Sequence, residues 1–341
     1  MGDLTRLPLD DGGWRDFVEA HGDATPFHEP AWASLLAEAY DLSGFVLAAI
    51  DGSGSIAAGL PVLQPPRLPG RPRRLVSLPF TDFVPPLVSA QDEQEFASSL
   101  DAARRELGFA RVELRSELQG TRPVLPQAVI HELALSADAD AVLRGMTKGK
   151  RRDVRAAQRT PLTVRRAESE RDIVDLYFGL HVATRRRLGV PSQPKRFFRL
   201  LWQRVLQAGL GFGLLAEDAS TPVAGAIFLR ANGTVVYKYG ASDVARRAQL
   251  PTDLLLWTAI EEACERGDSS FDFGRTDLHA AGLRSFKARW GATERPLVYS
   301  AIGEGGSVAV AGASAIVGRV LRHSPLWVTR ATGELLYRYA T

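Results

Sequence analysis

The chain has 341 residues, of which 45% are hydrophobic and 24% charged, and its formal net charge is +3. This composition excludes a disordered or fibrous protein, and the length predicts two domains that each bury a core. The small net charge means that binding of a polyanion would require a local basic patch. The single cysteine excludes a disulfide framework and favours a cytoplasmic location.

Two stretches of the chain resemble each other and predict a duplicated hairpin. Residues 45–60 read as a strand, a polar turn and a second strand, and residues 212–227 repeat this pattern. An amphipathic helix and a short strand follow each hairpin, over 97–115 and 254–275. We therefore predict two related α/β units in tandem. We place the first domain at 1–138, the second domain, with the candidate active site, at 139–304, and a helical tail at 305–341.

A proline-stiffened loop in the first half carries a carboxylate that is a candidate substrate ligand. In "LPFTDFVPPLV", Asp82 precedes Pro85 and Pro86. The side chain of Asp82 is compatible with lining a cleft or with capping a turn.

The joint between the two units is strongly basic. Residues 148, 152, 155 and 159 are spaced four, three and four apart, which predicts one face of a helix. The candidate phosphate-binding residues of this segment are Lys148, Lys150, Arg152, Arg155 and Arg159. Such a stripe can neutralise nucleic-acid phosphates, and a solvated helix face is the alternative.

Several further residues are candidates for holding an anionic substrate. In "HVATRRRLGVP", Arg185 and Arg187 stand near the end of a helix, where they either stabilise the helix dipole or bind an anion. Tyr239 ends a strand before a glycine, and ligand sites gather at such ends. In "SFDFGRTD", a core role for the phenylalanines leaves Asp272 and Arg275 unexplained.

One lysine near the end of the second unit is the candidate catalytic residue. The chain has five lysines against 37 arginines, so Lys287 is unusual. Phe286 and Trp290 are spaced i and i+4 and can anchor one helical turn, from which Lys287 projects. Its ammonium could stabilise an oxyanion in acyl transfer, and a surface lysine is the alternative.

The tail beyond residue 305 reads as helices that pack back on the first domain. Its apolar run at 307–321 is shorter than the roughly 20 residues of a membrane span, so it predicts a packed or surface-lying helix and no integral membrane segment. A peripheral membrane contact is compatible with this pattern. The histidines lack metal-ligand spacing, and phosphate-binding loops and nucleophile elbows are missing from the sequence.

Seven motifs in this order resemble the Fem-type aminoacyltransferases and the related BioF-like acetyltransferases of the GNAT superfamily. They are "TPFHEPAWASLLAEAY", "KGKRRDVRAAQR", "HVATRRRLGVP", "YKYGASD", "LPTDLLLWTAIEEACERG", "FDFGRTD" and "SFKARWG". The likeness covers about Thr25 to Ser300. It implies two tandem GNAT-like (acyl-CoA N-acyltransferase-like) domains, each a mixed sheet flanked by helices.

The resemblance also implies a reaction. Fem-type members move an amino acid from aminoacyl-tRNA to an amine on a peptide that is UDP-linked or lipid-linked. By motif, Phe286 and Lys287 fall at the catalytic pair, with Asp272 as a weaker candidate for accepting the amine proton. Arg185, Arg187 and Tyr239 fall where phosphate or peptide groups of the substrate are held, and the basic segment falls near the tRNA. No cofactor is expected beyond the aminoacyl-tRNA co-substrate.

Two departures from the family keep other functions open. The coiled-coil arm of bridge-forming members is missing, which leaves the muropeptide acceptor open. The sequence "RRAQLPTDLLL" stands where an acetyl-CoA-dependent enzyme would carry a glycine-rich pyrophosphate loop. The alternatives are an acyl-CoA-dependent N-acetyltransferase acting on an amino sugar or small amine, and a non-catalytic RNA-binding module.

Overall fold

The computed structural model of the protein describes residues 2–67, 70, 72–304 and 315–339. The strands of this part of the chain are β1 (Thr5–Leu7), β2 (Ser43–Ile50), β3 (Ile56–Gln64), β4 (Arg74–Val76), β5 (Arg111–Leu114), β6 (Arg122–Ala134), β7 (Thr163–Arg166), β8 (Gly211–Asp218), β9 (Thr221–Ala231), β10 (Thr234–Ser242), β11 (Ser270–Asp277) and β12 (Thr293–Gly303).

The helices of the described residues are α1 (Gly12–Ala20), α2 (Pro30–Tyr40), α3 (Glu93–Glu106), α4 (Ala139–Gly145), α5 (Lys148–Ala157), α6 (Phe178–Leu188), α7 (Lys195–Leu201), α8 (Pro251–Glu265), α9 (Ala281–Ala288), α10 (Ala315–His323) and α11 (Leu326–Leu336). A π-helical turn at Asp172–Tyr177 leads into α6, and a second at Trp202–Leu206 extends α7. A 3-10 helix at Val244–Gln249 precedes α8.

The chain forms two compact units. The first contains the described residues up to 128 together with 296–304 and 338–339, and the second contains 129–295 and 315–337. The sequence placed the boundaries after residues 138 and 304, whereas the units divide within β6 and near the start of β12.

The two units repeat one strand order. The first has the order β1-β2-β3-β4-β5-β12, and the second has the order β7-β8-β9-β10-β11-β6. In each unit, antiparallel strands lead to a parallel pair. In the first unit this pair is β4 with β5, joined through α3. In the second unit it is β10 with β11, joined through α8. A parallel pair needs such a crossover because its strands run in the same direction. The predicted duplicated hairpin and the tandem α/β fold are confirmed.

The last strand of each sheet comes from a distant part of the chain. Strand β6 follows β5 in sequence but lies beside β11, and β12 follows β11 but pairs antiparallel with β5. Ser300 pairs with Leu114, and Gly303 pairs with Arg111. Hydrophobic periodicity identifies strands but not their neighbours, so this exchange was not predicted.

Each unit has its own apolar core. In the first unit, Trp14 and Val18 of α1 pack on Val46 and Ala48 of β2. In the second, α8, the sheet and the turn after α9 bury their largest side chains together; these include Trp257, Phe228, Phe271, Phe273 and Trp290. Burial of a large apolar side chain contributes about 1.5–3 kcal/mol relative to its exposure.

The described tail helices differ from the prediction that the tail packs on the first domain. Both α10 and α11 contact α6 of the second unit. A Cβ at Gly333 would lie 1.9 Å from the carbonyl oxygen of Ser192, so α11 can approach this closely only because residue 333 is glycine. Within the predicted apolar run, residues 307–314 lie outside the described part of the chain.

No helix among the described residues combines the length and the apolar character that a membrane crossing requires.

The contact at Gly333 gives a stability prediction. We expect Gly333→Ala to lower the free energy of unfolding by about 1–3 kcal/mol, because the added methyl overlaps the Ser192 carbonyl. The matched control is Gly145→Ala, where nothing lies within 4 Å of the added Cβ. Thermal unfolding and limited proteolysis of the tail measure both effects. Equal stability of the two variants would show that α11 does not depend on this contact.

Candidate functional site

The parallel pairing of β10 and β11 ends early. The paired residues are Thr234 with Ser270, Val235 with Phe271, and Val236 with Asp272, although both strands continue beyond them. A register shift in β10 follows directly, between Tyr237 and Tyr239. Clefts at the carboxyl ends of parallel strands are the usual ligand sites of open α/β sheets.

Lys287 reaches the part of β11 that lies beyond this pairing. The residue is on α9 and is buried. Its Nζ donates to the carbonyl oxygen of Gly274 at 2.7 Å and to that of Arg275 at 3.4 Å. Gly274 has φ +71°, a left-handed conformation that glycine adopts without strain. The structure therefore excludes the alternative of a solvated surface lysine.

The two other candidates on β11 are held by local contacts. Asp272 is half-buried, and its Oδ1 accepts a hydrogen bond from the backbone N–H of Gly274 at 2.7 Å. Arg275 forms an ion pair with Asp277 at 2.6 Å, while its carbonyl accepts from Lys287. Asp272 thus lies on β11 two and three residues before Gly274 and Arg275, whose carbonyls accept hydrogen bonds from the ammonium of Lys287.

The predicted aromatic anchor is present, and it has an additional partner. Phe286 and Trp290 are in ring contact, with centroids 6.2 Å apart. The ammonium of Lys150 lies 4.4 Å from the centroid of Phe286 and 4.9 Å from that of Trp290. It also pairs with Asp253 at the first turn of α8. This cluster joins α5, α8 and α9.

The assignment of Lys150 to the phosphate-binding stripe is therefore wrong. Lys150 is 1% exposed, because it lies on the inner face of α5. Its ammonium contacts the carboxylate of Asp253 and the rings of Phe286 and Trp290. The four residues that helical spacing placed on one face are all exposed. Lys148, Arg152 and Arg155 lie on α5, and Arg159 lies just after this helix. These four cations form the basic stripe.

A histidine beside Lys287 was missed by sequence reasoning. His131 of β6 is buried, and its Nε2 lies 3.2 Å from Oε2 of Glu294. Burial lowers the pKa of His131, and the positive charge of Lys287 lowers it further. Both effects favour the neutral imidazole, while the nearby carboxylate of Glu294 opposes them. The only sequence signal of His131 is a polar residue in the apolar strand "AVIHELAL".

Tyr239 and Arg185 lie around an aromatic cluster on α6 and α7. Tyr239 contacts the rings of His181, Phe197 and Phe198 at centroid distances of 5.8 to 6.2 Å. The Nε of Arg185 donates to the carbonyl oxygen of Pro191 at 2.9 Å. That bond holds the chain just after α6, so part of the predicted anion-binding capacity of Arg185 is used within the fold.

Arg187 lines a cleft of about 520 Å³ in the second unit. The cleft lies between α6, the end of β10 and α10, and Arg186 and Arg322 also line it. Asp243 contributes a carboxylate whose Oδ1 accepts from the N–H of Ala245 at 2.9 Å. Three guanidinium groups against one carboxylate make the cleft basic, and the anion contact of Arg187 stays a prediction.

The segment before α8 offers few donors for a pyrophosphate. Pro251 opens the helix and has no N–H, and Leu250 before it has φ 54°. Arg246 forms an ion pair with Asp218 at 2.8 Å. The row of free backbone N–H groups that grips a diphosphate in glycine-rich loops is thus interrupted here.

Asp82 belongs to the first unit. Its backbone carbonyl accepts a hydrogen bond from the hydroxyl of Tyr299 at 2.9 Å, which fixes the loop before Pro85. The predicted contact of its side chain with substrate stays a prediction. No group of three or more metal-ligating side chains is found among the described residues.

Comparison with a family model identifies part of the chain. Residues 144–287 match the model described as an acetyltransferase (GNAT) domain. This segment begins before the basic stripe and ends at Lys287. Comparison of the sequence with curated proteins finds no match.

The fold is similar to that of two solved structures. The crystal structure of FemX is 15% identical, with a TM-score of 0.69, and the match covers 88% of this chain and 97% of that chain. The structure of L-PGS from Bacillus licheniformis is 16% identical, with a TM-score of 0.56, and the match covers 96% and 98% of the two chains. Identities this low establish the fold alone.

The Lys150–Asp253 pair gives a double-mutant prediction. We expect Lys150→Met to lower the free energy of unfolding by about 3–5 kcal/mol, because Asp253 is left buried without its cation. The double variant Lys150→Met, Asp253→Leu should recover most of this loss. Urea denaturation of both single variants, the double variant and wild type measures the coupling. Additive effects would show that the two charges do not depend on each other.

Burial of His181 gives a pH prediction. Burial, then the charge of Arg185, lowers its pKa to about 3, while the bond from Nε2 to Gln193 Oε1 opposes this shift. Because the unfolded chain binds the proton near pH 6.5, stability is lost as pH falls below that value. Between pH 7 and 5 the loss is about 2 kcal/mol.

The matched variant His181→Phe keeps a ring in the aromatic cluster and cannot titrate. Its free energy of unfolding should therefore fall less than that of wild type between pH 7 and 5, by about 2 kcal/mol. Denaturation curves at several pH values measure the difference. Parallel curves for the two proteins would contradict a buried neutral imidazole at this position.

Proposed function

We propose that the chain is a Fem-like aminoacyltransferase, starting from the match of residues 144–287 to the model of an acetyltransferase (GNAT) domain. It moves an aminoacyl group from aminoacyl-tRNA to an amine of a peptide or a cell-wall precursor, UDP-linked or lipid-linked, and forms an amide. The observation that carries this proposal is the buried ammonium of Lys287 on the part of β11 that lies beyond its pairing with β10.

Lys287 would act on the charge that develops in acyl transfer. The amine nitrogen attacks the ester carbonyl carbon, the C–N bond forms, and the carbonyl oxygen becomes an oxyanion. The tetrahedral intermediate then collapses, breaks the C–O bond and releases the tRNA hydroxyl. A fixed ammonium in a site with little water stabilises the oxyanion more than a solvated one does. The carbonyls of Gly274 and Arg275 fix its position.

The amine must lose a proton during this step. Asp272 is the candidate acceptor of this proton, because its carboxylate is hydrogen-bonded to Gly274, whose carbonyl binds the ammonium of Lys287. The substrate itself is the other candidate. The lowered pKa of His131 disfavours a second positive charge near Lys287, which would repel a protonated amine.

The basic stripe supports a nucleic-acid donor. Its four cations are exposed on one side of α5 and just after it, as binding to a tRNA backbone requires. The start of α8 supports the same donor, since Pro251 removes a backbone N–H that a glycine-rich loop would offer to the diphosphate of an acyl-CoA. The exposed side chains of Arg246 and Arg247 are the anion-binding groups that remain there. The cleft of Arg187 is the proposed place for acceptor groups. Arg185 lies two residues before Arg187 on α6, and Tyr239 contacts His181 of the same helix.

A second candidate is an acyl-CoA-dependent N-acetyltransferase that acts on an amino sugar or small amine. The matching family model is described as an acetyltransferase domain, which favours this reading. A GNAT domain that contains both the stripe and Lys287 argues against a non-catalytic RNA-binding module.

The donor is tested by offering both classes to one acceptor pool. The protein is incubated with pooled aminoacyl-tRNAs or with pooled acyl-CoAs, and products are identified by mass spectrometry. We expect amide products only with aminoacyl-tRNA. Products from acyl-CoA alone would replace the proposal by the second candidate, and tRNA binding without any product would leave only an RNA-binding role.

Substitution of Lys287 tests the mechanism. We expect Lys287→Ala and Lys287→Met to lower kcat about 10²–10³-fold, because the oxyanion loses its fixed positive charge. Lys195→Ala is the matched control, since Lys195 is a surface lysine paired with Asp175. Single-turnover transfer from aminoacyl-tRNA measures the rates, and thermal unfolding verifies that each variant is folded. Wild-type rates in Lys287→Ala and Lys287→Arg would remove the role.

A further inference from the structure

The first unit repeats the short parallel ladder of the second. Strands β4 and β5 pair over three residues, as β10 and β11 do. Two residues beyond the ladder on β11 lies Gly274, whose carbonyl accepts from Lys287. At the matching place in the first unit, two residues beyond the ladder of β5, the chain has Arg115. Open α/β sheets bind ligands at the carboxyl ends of parallel strands, so Arg115 lies at a second candidate position.

Arg115 is buried without a counter-ion. Only 6% of the residue is exposed, and its Nε–H is fully buried with no acceptor among the described residues. None of these residues forms an ion pair with the guanidinium, which lies over the ring of Tyr299 with Cζ 4.9 Å from the centroid. The hydroxyl of the next residue, Ser116, is also buried without a partner. Buried charges are normally paired, so an unpaired one indicates a ligand.

The nearest carboxylate on the same strand is already used. Glu113 lies two residues before Arg115, and residues two apart on a strand share a face. Both oxygens of Glu113 accept from Nη1 of Arg74, at 3.0 and 2.9 Å. The Nε of Arg111 lies 3.4 Å from the same carboxylate. Three arginines and one glutamate leave an excess of positive charge at this end of β5.

The loop that follows β4 is built around Arg115. The backbone N–H of Arg115 donates to Oγ of Ser77 at 2.7 Å, and its carbonyl accepts from the N–H of Val84 at 3.2 Å. Two residues of the loop that are not glycine have a left-handed backbone, Leu78 with φ 54° and Phe80 with φ 64°. Such strained residues are typical of ligand sites, where the surrounding structure fixes them.

Buried side chains hold this loop in place. The indole N–H of Trp32 donates to Oγ1 of Thr81 at 2.9 Å. The Nε2–H of His28 donates to the carbonyl oxygen of Pro85 at 2.7 Å. The hydroxyl of Tyr299, whose ring lies under the guanidinium, binds the loop as well. The loop therefore does not have to be ordered when a ligand binds.

We propose that Arg115 and Tyr299, with the loop that follows β4, form a second ligand site, and that this site binds a carboxylate. We call it the Arg115 site. Contact with a ring leaves the N–H donors of a guanidinium available, and two of them match the two oxygens of a carboxylate. One negative charge then compensates the one unpaired positive charge. The carboxylate can belong to a small molecule or to the end of a peptide.

A phosphate fits this site less well. It carries more negative charge than a carboxylate, and proteins bind it with a row of free backbone N–H groups or with several cations. In the loop that follows β4, the N–H groups of Ser77, Leu78 and Val84 donate to backbone carbonyls. Three further residues of this loop are prolines, which have no N–H. The buried carboxylate of Glu113 would also repel a second negative charge.

This inference does not depend on the donor, the acceptor or acyl transfer. Lys287, on which the proposed function depends, belongs to the second unit, whereas the Arg115 site lies within the first. Carboxylate binding is measured without an acyl donor, and transfer is measured as product. Failure of one proposal is therefore distinguishable from failure of the other.

The test measures ligand binding by the full chain. Acetate, N-acetyl-trialanine, the C-terminal amide of N-acetyl-trialanine and inorganic phosphate are each titrated at constant ionic strength, by calorimetry and by the shift in Tm. We expect both carboxylates to bind saturably and to raise Tm, whereas the amide does not. Tighter binding of the peptide than of acetate indicates a peptide end, and equal binding indicates a small carboxylate.

Variants locate the site and separate a binding role from a structural one. Arg115→Met should weaken carboxylate binding about tenfold or more, because the charged hydrogen bonds are lost. Without ligand its Tm should equal or exceed that of wild type, since an unpaired buried charge is removed. The matched control Arg74→Met should lower Tm, because it leaves Glu113 without its main partner. Arg105→Met, at an exposed position of α3, should change neither property.

Five outcomes would overturn the proposal. Neither carboxylate binds; the amide binds as well as the acid; phosphate binds as tightly as the carboxylates; Arg115→Met binds like wild type, as it would if only Arg187→Met lost binding at the other cleft; or Arg115→Met is less stable than wild type or does not fold, which would make the guanidinium structural. Carboxylate binding that a stable Arg115→Met loses and Arg105→Met keeps would support it.

Discussion

The short parallel ladder between β10 and β11 sets the geometry of the candidate site. Only three residue pairs join the strands, so backbone groups of β11 that face β10 beyond this ladder need other partners. Lys287 donates to the carbonyls of Gly274 and Arg275. Consecutive carbonyls of a strand point to opposite neighbours, so a longer ladder with β10 would occupy one of the two and leave the ammonium with fewer acceptors. The early end of the ladder and the position of the buried cation therefore go together.

Buried ammonium groups recur in the second unit. Two of the five lysines of the chain, Lys150 and Lys287, are buried, whereas exposed positive charge is carried mainly by arginine. An ammonium is compact and has rotatable donors, so it fits a ring face, a carboxylate or a pair of carbonyls where a planar guanidinium would need more room. Lys150 holds α5, α8 and α9 together through Asp253 and Phe286. Lys287 then projects from a helix whose position is fixed.

The two basic surfaces of the second unit differ in character. The basic stripe of α5 carries exposed cations of high charge density, which suits a polyanion. The cleft of Arg187 instead gathers three guanidinium groups and the carboxylate of Asp243 in a concave site, which suits a smaller anionic group. A transferase with a nucleic-acid donor and a small anionic acceptor would need both.

The sequence by itself determined the duplicated hairpin, the basic helix face and the anchoring of Phe286 on Trp290, because each follows from local periodicity. It also singled out lysine as a rare residue. Only the tertiary structure decided how deep a side chain lies and which strand is its neighbour. Helical spacing already placed Lys150 off the stripe, but its buried partner Asp253 is 103 residues away and no local pattern indicates that pair. His131 was missed because β6 reaches β11 across more than a hundred residues, and no local pattern encodes such a contact.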